Sequence, residues 1–279
     1  MTVYIEWYWQ LFYIIVPTIG IVTNSLIVYV TIVDSHLRSS CNIMIAMIAF
    51  GDVLHQLGQY VMVISHDIAP EHVIPQRICM HLQAAPLFGL CFSSIIVLCV
   101  AIDRILALHR IYLVIQSHQK LYLTTKTTTA VLFSISFIVW SYVLVDDRYV
   151  TCGIPDVFTN EAYDACFGAI SVISVLLIIC YAYVGYRLRN FVTRDDQMQG
   201  VVRSLLLIST TVVFGWFSTN LIRFGANFLQ IRFEHRITLD LIAGVFVHIS
   251  CATNFFIYYF VSSGYREVFN RRLHTKQTA

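Results

Sequence analysis

The sequence predicts an all-α membrane protein, a seven-transmembrane helix bundle with a short membrane-surface helix after the last span. Three observations predict it. The first is composition: 58% of the 279 residues are hydrophobic and only 12% are charged, where soluble domains average about 25% charged. The second is the gathering of the apolar residues into seven runs, near 8–33, 43–65, 79–103, 127–146, 166–186, 204–228 and 237–261. Each is long enough for a hydrocarbon core roughly 30 Å thick. The third is the placement of charge. With the N-terminus outside, 13 of the 18 Lys and Arg residues fall on the cytoplasmic side, the bias that orients membrane helices. Residues 1–279 are therefore taken as one domain.

Taken in order, the chain opens with MTVYIEWYWQ, which holds no Lys or Arg. A cleaved signal peptide carries a basic leader, so the first span is expected to act as an uncleaved anchor. Asn24 lies at mid-depth in that span. In the second span, Asp52, His55, Gln56 and Gln59 recur at i, i+3, i+4 and i+7 and share one helix face. An ionisable residue at that depth points to function, with interhelical hydrogen bonding as the plainer reading. Asn24, Asp52 and Asn254 are expected to supply hydrogen bonds for one another, with Ser93 and Ser250 joining them. Such an oxygen cluster suits a hard cation, and Na⁺ is the one expected there.

The third span runs from Cys79 to Asp103-Arg104, a separation that puts the cysteine at one membrane face and the charged pair at the other. Of the eight cysteines, Cys79, Cys152 and Cys166 fall at or beyond the outer face, an oxidising compartment. Three thiols allow one bridge and leave one free. In the sixth run Trp216 is read as core packing or as a pocket wall, and Thr219, Asn220 and Arg223 follow it at helical spacing. His248 interrupts the seventh run. After it, SSGYREVFNRRLHTK sets Tyr265, Val268, Phe269 and Arg272 at helical spacing among basic residues, the pattern of a helix on the inner leaflet near 264–274.

Several classes are excluded. No nucleophile elbow, P-loop, dinucleotide fingerprint or zinc-ligand spacing occurs, so no enzyme is expected. No nucleic-acid partner is expected either; the lipid bilayer is. A transporter or channel, with Asp52, His55 and Gln59 as an ion or proton path, has against it the lack of an internal repeat.

The ordered set of motifs resembles rhodopsin-like G-protein-coupled receptors over nearly the whole chain. Asn24 in IVTNSLIV resembles the span-one Asn, and Asp52 in IAFGD the span-two Asp. Asp103-Arg104-Ile105 resembles DRY, and Cys79 stands 25 residues before its arginine. Trp140 resembles the span-four Trp. Trp216 resembles the Trp of CWxP, with Gly215 and Ser218 in place of Cys and Pro, and Asn254 to Tyr258, NFFIY, resembles NPxxY with Phe255 for Pro. These departures, with the short N-terminus and loops, resemble nematode serpentine chemoreceptors of the Srsx type.

The resemblance implies an extracellular small-molecule ligand, a heterotrimeric G protein as partner, and a multi-pass cell-membrane location, in sensory cilia for such receptors. It implies a Cys79–Cys152 disulfide, with Cys152 preferred to Cys166 because Cys166 begins the fifth span. Arg104 would pair with Asp103 at rest and meet the G protein on activation, with Tyr181 and Tyr258 turning inward. Leu87, Leu90, Trp216, Asn220, Arg223 and His248 are the implied pocket. A retinal ligand is disfavoured because His248 stands where a lysine is needed, and an amine because Pro86 stands where the ammonium partner is needed. A neuropeptide receptor of the same fold is the alternative, favoured by an acidic outer side.

Overall fold

The computed structural model describes residues 4–109, 112–190, 206–207, 210–211, 213–219, 221–222, 225, 229 and 233–274. Its helices are α1 (Trp7–Val33), α2 (Ser40–Ile68), α3 (Gln76–Ala107), α4 (Tyr112–Ser117), α5 (Gln119–Val143), α6 (Asn160–Asn190), α7 (Phe233–Val261) and α8 (Ser263–His274). Six helices among the described residues are long and apolar enough to cross a membrane: α1, α2, α3, α5, and the segments Glu161–Arg187 and Ile237–Val261. The remaining run, 204–228, is helical at 213–219.

Helix ends overshoot the apolar runs. The largest case is α5, which starts at Gln119, where the apolar run was read from 127. The sequence QKLYLTTK is polar but has no glycine or proline, so the backbone keeps its helical hydrogen bonds after it leaves the bilayer. The turn before α2 is set by Asp34, which accepts from the His36 N–H at 3.0 Å, and by Ser39, which caps α2 through the Asn42 N–H at 3.3 Å.

Apolar side chains face lipid as well as core: Tyr29, Ile32, Val172 and Val175 are exposed on α1 and α6. Association therefore depends on close packing and interhelical hydrogen bonds rather than on burial from water. The tightest approach joins α2 to α3 at Gly51 and Gly89. A Cβ on Gly51 would stand 2.9 Å from the Gly89 carbonyl oxygen, and one on Gly89 would stand 2.6 Å from Leu54 Cβ and 2.8 Å from the His55 nitrogen. Only glycine fits at that crossing.

The helices carry one short pairing between their connections. Ile74–Pro75 pairs antiparallel with Tyr149–Val150. Gln76 anchors this ribbon: its amide N–H donates to the Arg148 oxygen at 2.8 Å, its side chain donates to the Asp156 oxygen at 2.9 Å and accepts from the Asp146 N–H at 3.0 Å. The ribbon supplies backbone partners that the α5–α6 connection cannot supply as a helix.

At the opposite end α8 folds back on the bundle. Tyr265 and Phe269 are fully buried, and Phe269 meets Phe255 at 4.7 Å between ring centres. Arg271 and Arg272 both donate to Asp34 in the α1–α2 turn. Burial raises the Asp34 pKa, but the His36 backbone N–H and Arg271 outweigh it and hold the carboxyl well below the usual range. A depressed folded-state pKa contributes stability above the unfolded value, near 3.9, and loses it only as pH falls through the lower folded value. Docking of α8 is thus expected to be insensitive to pH from 8 down to 5. Asp34→Ala should weaken it at every pH in that window, read as about tenfold faster amide exchange over 265–272. Unchanged exchange in the variant would show the ion pairs to be dispensable.

Candidate functional site

The chemistry lies along one axis, from a cavity at the Cys79 end, through a polar core, to a charged pair at the end of α3. The α5–α6 loop roofs the cavity. Cys79 and Cys152 form a disulfide with Cα atoms 5.3 Å apart, while Cys166 is a free, buried thiol. Cys152 sits in the left-handed region, φ 63°, a conformation uncommon for residues other than glycine. Gln83 of α3 holds it there by donating to the Cys152 oxygen at 2.6 Å and to the Gly58 oxygen of α2 at 2.9 Å. The following residues, Gly153 to Asp156, lie over the bundle, and the Asp156 carboxylate accepts from Thr151 at 2.6 Å and from the Gly153 N–H at 3.0 Å.

Below this roof is a cavity of about 130 Å³. Leu90, Trp216 and His248 line it, three of the pocket residues read from the sequence. Leu87 does not: it is fully buried in the apolar cluster around Cys79, Met80 and Cys152. Helix α3 is surrounded by neighbours, so its register alone does not say which buried face meets the cavity. Asn220 and Arg223 lie outside the described residues.

The cavity has walls that the sequence reading did not assign to it. Ile5, ahead of α1, is held by its N–H donating to His66 Nε2 at 3.1 Å, and Tyr13 of α1 donates to the Leu241 oxygen at 2.5 Å. Met62, Thr151, Gly153 to Asp156, Phe167 and Asp240 complete much of the surface. Tyr13 carried the one usable signal, since a hydroxyl inside an apolar run needs a partner. His55 and Gln59, placed on one α2 face from their spacing, both reach this cavity. Thr219 donates to the Ala243 oxygen at 2.9 Å and ties the 213–219 helix to α7.

The polar core is narrower. Asn254 donates to Asp52 at 2.7 Å, joining α7 to α2. Asp52, Ser93 and Ser250 line a second cavity of about 30 Å³. Asn24 is a correction to the expected cluster: it donates to the Gly20 and Cys251 oxygens, both at 2.9 Å, and so fastens α1 to α7 backbone instead of meeting Asp52. Its amide nitrogen is satisfied by these two carbonyls, one from its own helix and one from α7.

At the far end Arg104 donates to Asp103, and its guanidinium also reaches the Tyr112 hydroxyl at 3.5 Å. Asp103 is fully buried and Arg104 nearly so. Tyr258 packs on Tyr265 of α8 with ring centres 4.9 Å apart, and Tyr181 is buried in the same apolar cluster. Trp140, by contrast, is largely on the outside of the bundle, stacked on Phe137. Among the described residues no group of three or more His, Cys, Asp or Glu side chains has the placement to hold a metal.

A family model described as the serpentine type 7TM GPCR chemoreceptor Srsx matches residues 17–273. The chain belongs to that family. Among curated proteins none matches it. As an Srsx receptor it is a multi-pass membrane protein, and the disulfide, the roofed cavity and the Asp103–Arg104 pair lie along α3, which packs against α2, α5 and α6.

Proposed function

We propose that this Srsx receptor is chemosensory, with its N-terminus extracellular, that it binds an extracellular small molecule in the roofed cavity, and that it activates a heterotrimeric G protein through the Arg104 end. The observation that carries the reading is the cavity itself: about 130 Å³, covered by Gly153 to Asp156 and floored by Leu90 and Trp216. That volume suits a small ligand. It favours a small molecule over the neuropeptide alternative, which would need an open mouth for several side chains. A ligand acts by fitting one packing of the bundle better than another. Trp216 touches both the cavity and Phe167 of α6, at 5.9 Å between ring centres, so a ligand there bears on the helices that would open toward a G protein.

Na⁺ at the polar core belongs to the same proposal. Asp52, Ser93 and Ser250 offer oxygens around the inner cavity, the donor type a hard cation takes. Asp52→Asn is expected to abolish any effect of Na⁺ on ligand affinity. An equal Na⁺ effect in the variant would remove the ion from this site.

The receptor reading is tested by guanine-nucleotide exchange on a panel of G proteins, with the full chain in membranes, pooled small molecules and peptides as stimulus, and Arg104→Ala as comparison. Stimulated exchange is expected for the wild type and is expected to be lost in Arg104→Ala. Exchange that ignores Arg104 would move coupling elsewhere. Ion flux abolished by Asp52→Asn, with no exchange, would favour a transporter.

A further inference from the structure

Most of the outer cavity wall is apolar, yet three buried polar side chains open onto it with hydrogen-bonding capacity unused. His55, His248 and Gln59 are each 5% exposed or less and all line the cavity. The two imidazole rings stack, with centres 5.3 Å apart and planes inclined by 27°. Each ring has its Nδ1 engaged. His248 Nδ1 lies 3.0 Å from Gln56 Oε1, and His55 Nδ1 lies 3.9 Å from Cys251 Sγ. Neither Nε2, nor the Gln59 amide, has a hydrogen-bond partner among the described residues.

The engaged atoms bear on the character of the free ones. With Gln56 Oε1 facing it, His248 Nδ1 carries the proton and its Nε2 presents a lone pair. A thiol both donates and accepts weakly, so the Cys251 contact leaves the His55 proton free to sit on either ring nitrogen. With that proton on Nε2, two neighbouring ring nitrogens offer one acceptor and one donor. A buried group of either kind left unmatched is costly.

We propose that this cavity recognises a small, mainly apolar molecule by a single hydroxyl group. The hydroxyl donates to His248 Nε2 and accepts from His55 Nε2–H, and Gln59 offers a further amide beside them. The rest of the molecule packs on Met62, Leu90, Phe167, Trp216 and Val247. A cavity of about 150 Å³ holds benzene, so about 130 Å³ here sets the scale at one ring or a short branched chain. A hydrocarbon or an ether of equal size leaves the His248 lone pair unmatched. The geometry is independent of signalling; only the meaning of the ligand as a stimulus rests on the receptor reading.

The test uses the purified full chain in lipid nanodiscs and four matched compounds: benzyl alcohol, benzyl methyl ether, toluene and benzylamine. Saturable binding is measured by ligand-observed magnetic resonance. Benzyl alcohol is expected to bind about tenfold more tightly than its methyl ether, the size of one lost buried hydrogen bond. In His248→Phe, which keeps a ring of similar shape, that difference is expected to vanish. The wild-type series stands even if the variant does not fold. Equal affinity for alcohol and ether, preference for the amine, or no saturable binding of the alcohol would each overturn the proposal. Hydroxyl-selective binding with no nucleotide exchange would keep this site and remove the receptor reading; stimulated exchange with no hydroxyl selectivity would do the reverse.

Discussion

Gly89→Ala is expected to keep the receptor from reaching the cell surface, lowering surface delivery about tenfold or more. One methyl group suffices because its neighbours cannot move aside. They are the backbone of α2, with the His55 nitrogen 2.8 Å away, and the Leu54 Cβ at 2.6 Å. No rotamer change relieves contacts of that kind, so α2 and α3 must separate along their crossing. Overpacking in an interior typically costs about 1–3 kcal/mol. Here the cost is added to the loss of the dispersion contacts that hold helices together in lipid, where no hydrophobic drive replaces them. The same separation displaces His55, whose nitrogen is part of the contact, and with it one wall of the outer cavity. Gly168 on α6 provides the comparison. A Cβ there would meet nothing within 4 Å, so Gly168→Ala should be neutral or slightly stabilising, through better helix propensity of about 1 kcal/mol. Normal delivery of Gly89→Ala, by surface labelling, would mean that the two helices do not cross this closely.

The second large effect is expected from opening the disulfide, and it should fall on ligand response rather than on folding. For a soluble chain, closing a loop of this length, with 73 residues of separation, removes unfolded-state entropy equivalent to about 4 kcal/mol. That figure does not transfer. The closed loop contains most of α3 and all of α5, and in a bilayer those helices keep their hydrogen bonds even when they are not packed together. The bond acts instead on the roof. Cys152 is held by the disulfide and by Gln83, and Cys152 leads directly into Gly153–Asp156 over the cavity. In the double variant Cys79→Ser, Cys152→Ser, Cys152 is left to Gln83, and Gln76 still holds Asp156. The stimulus needed for half response is expected to rise at least about tenfold while the protein still reaches the membrane. Adding Gln83→Leu should raise it further, since the variants act on one strap and are not independent. An unchanged dose–response in the triple variant, at normal surface level, would show that the roof plays no part in holding ligand.

These predictions separate what the residues announce from what only the assembled fold contains. The spans are legible because lipid imposes one crude requirement, an apolar run of sufficient length, and the chain meets it seven times. The Asp52–Asn254 contact is legible because a carboxylate at mid-depth must find a partner and few polar groups share its depth. Leu87 is not legible as core, since α3 is apolar on all sides and periodicity has nothing to report. Asn24 finds a backbone carbonyl, Cys251, and backbone acceptors leave no mark in a sequence. The Asp34 clasp joins residues 237 and 238 positions apart, and only the return of α8 to the α1–α2 turn makes them neighbours. The paired imidazoles are intermediate: His55 and His248 each stand out as polar residues in apolar runs, but their stacking, and which nitrogens remain free, depends on how α2 and α7 meet.

The length of α3 has one more consequence. Its 32 residues extend about 48 Å, well beyond the hydrocarbon core, so the cystine near one end and Arg104 near the other lie toward opposite faces of the membrane. The cystine is therefore a built-in marker of sidedness. Both of its cysteines are fully buried, so in sealed vesicles a reductant that cannot cross the bilayer opens it from one face only, and only as the roof of Gly153 to Asp156 lifts; the thiols released then report which way the receptor points without any tag or fusion.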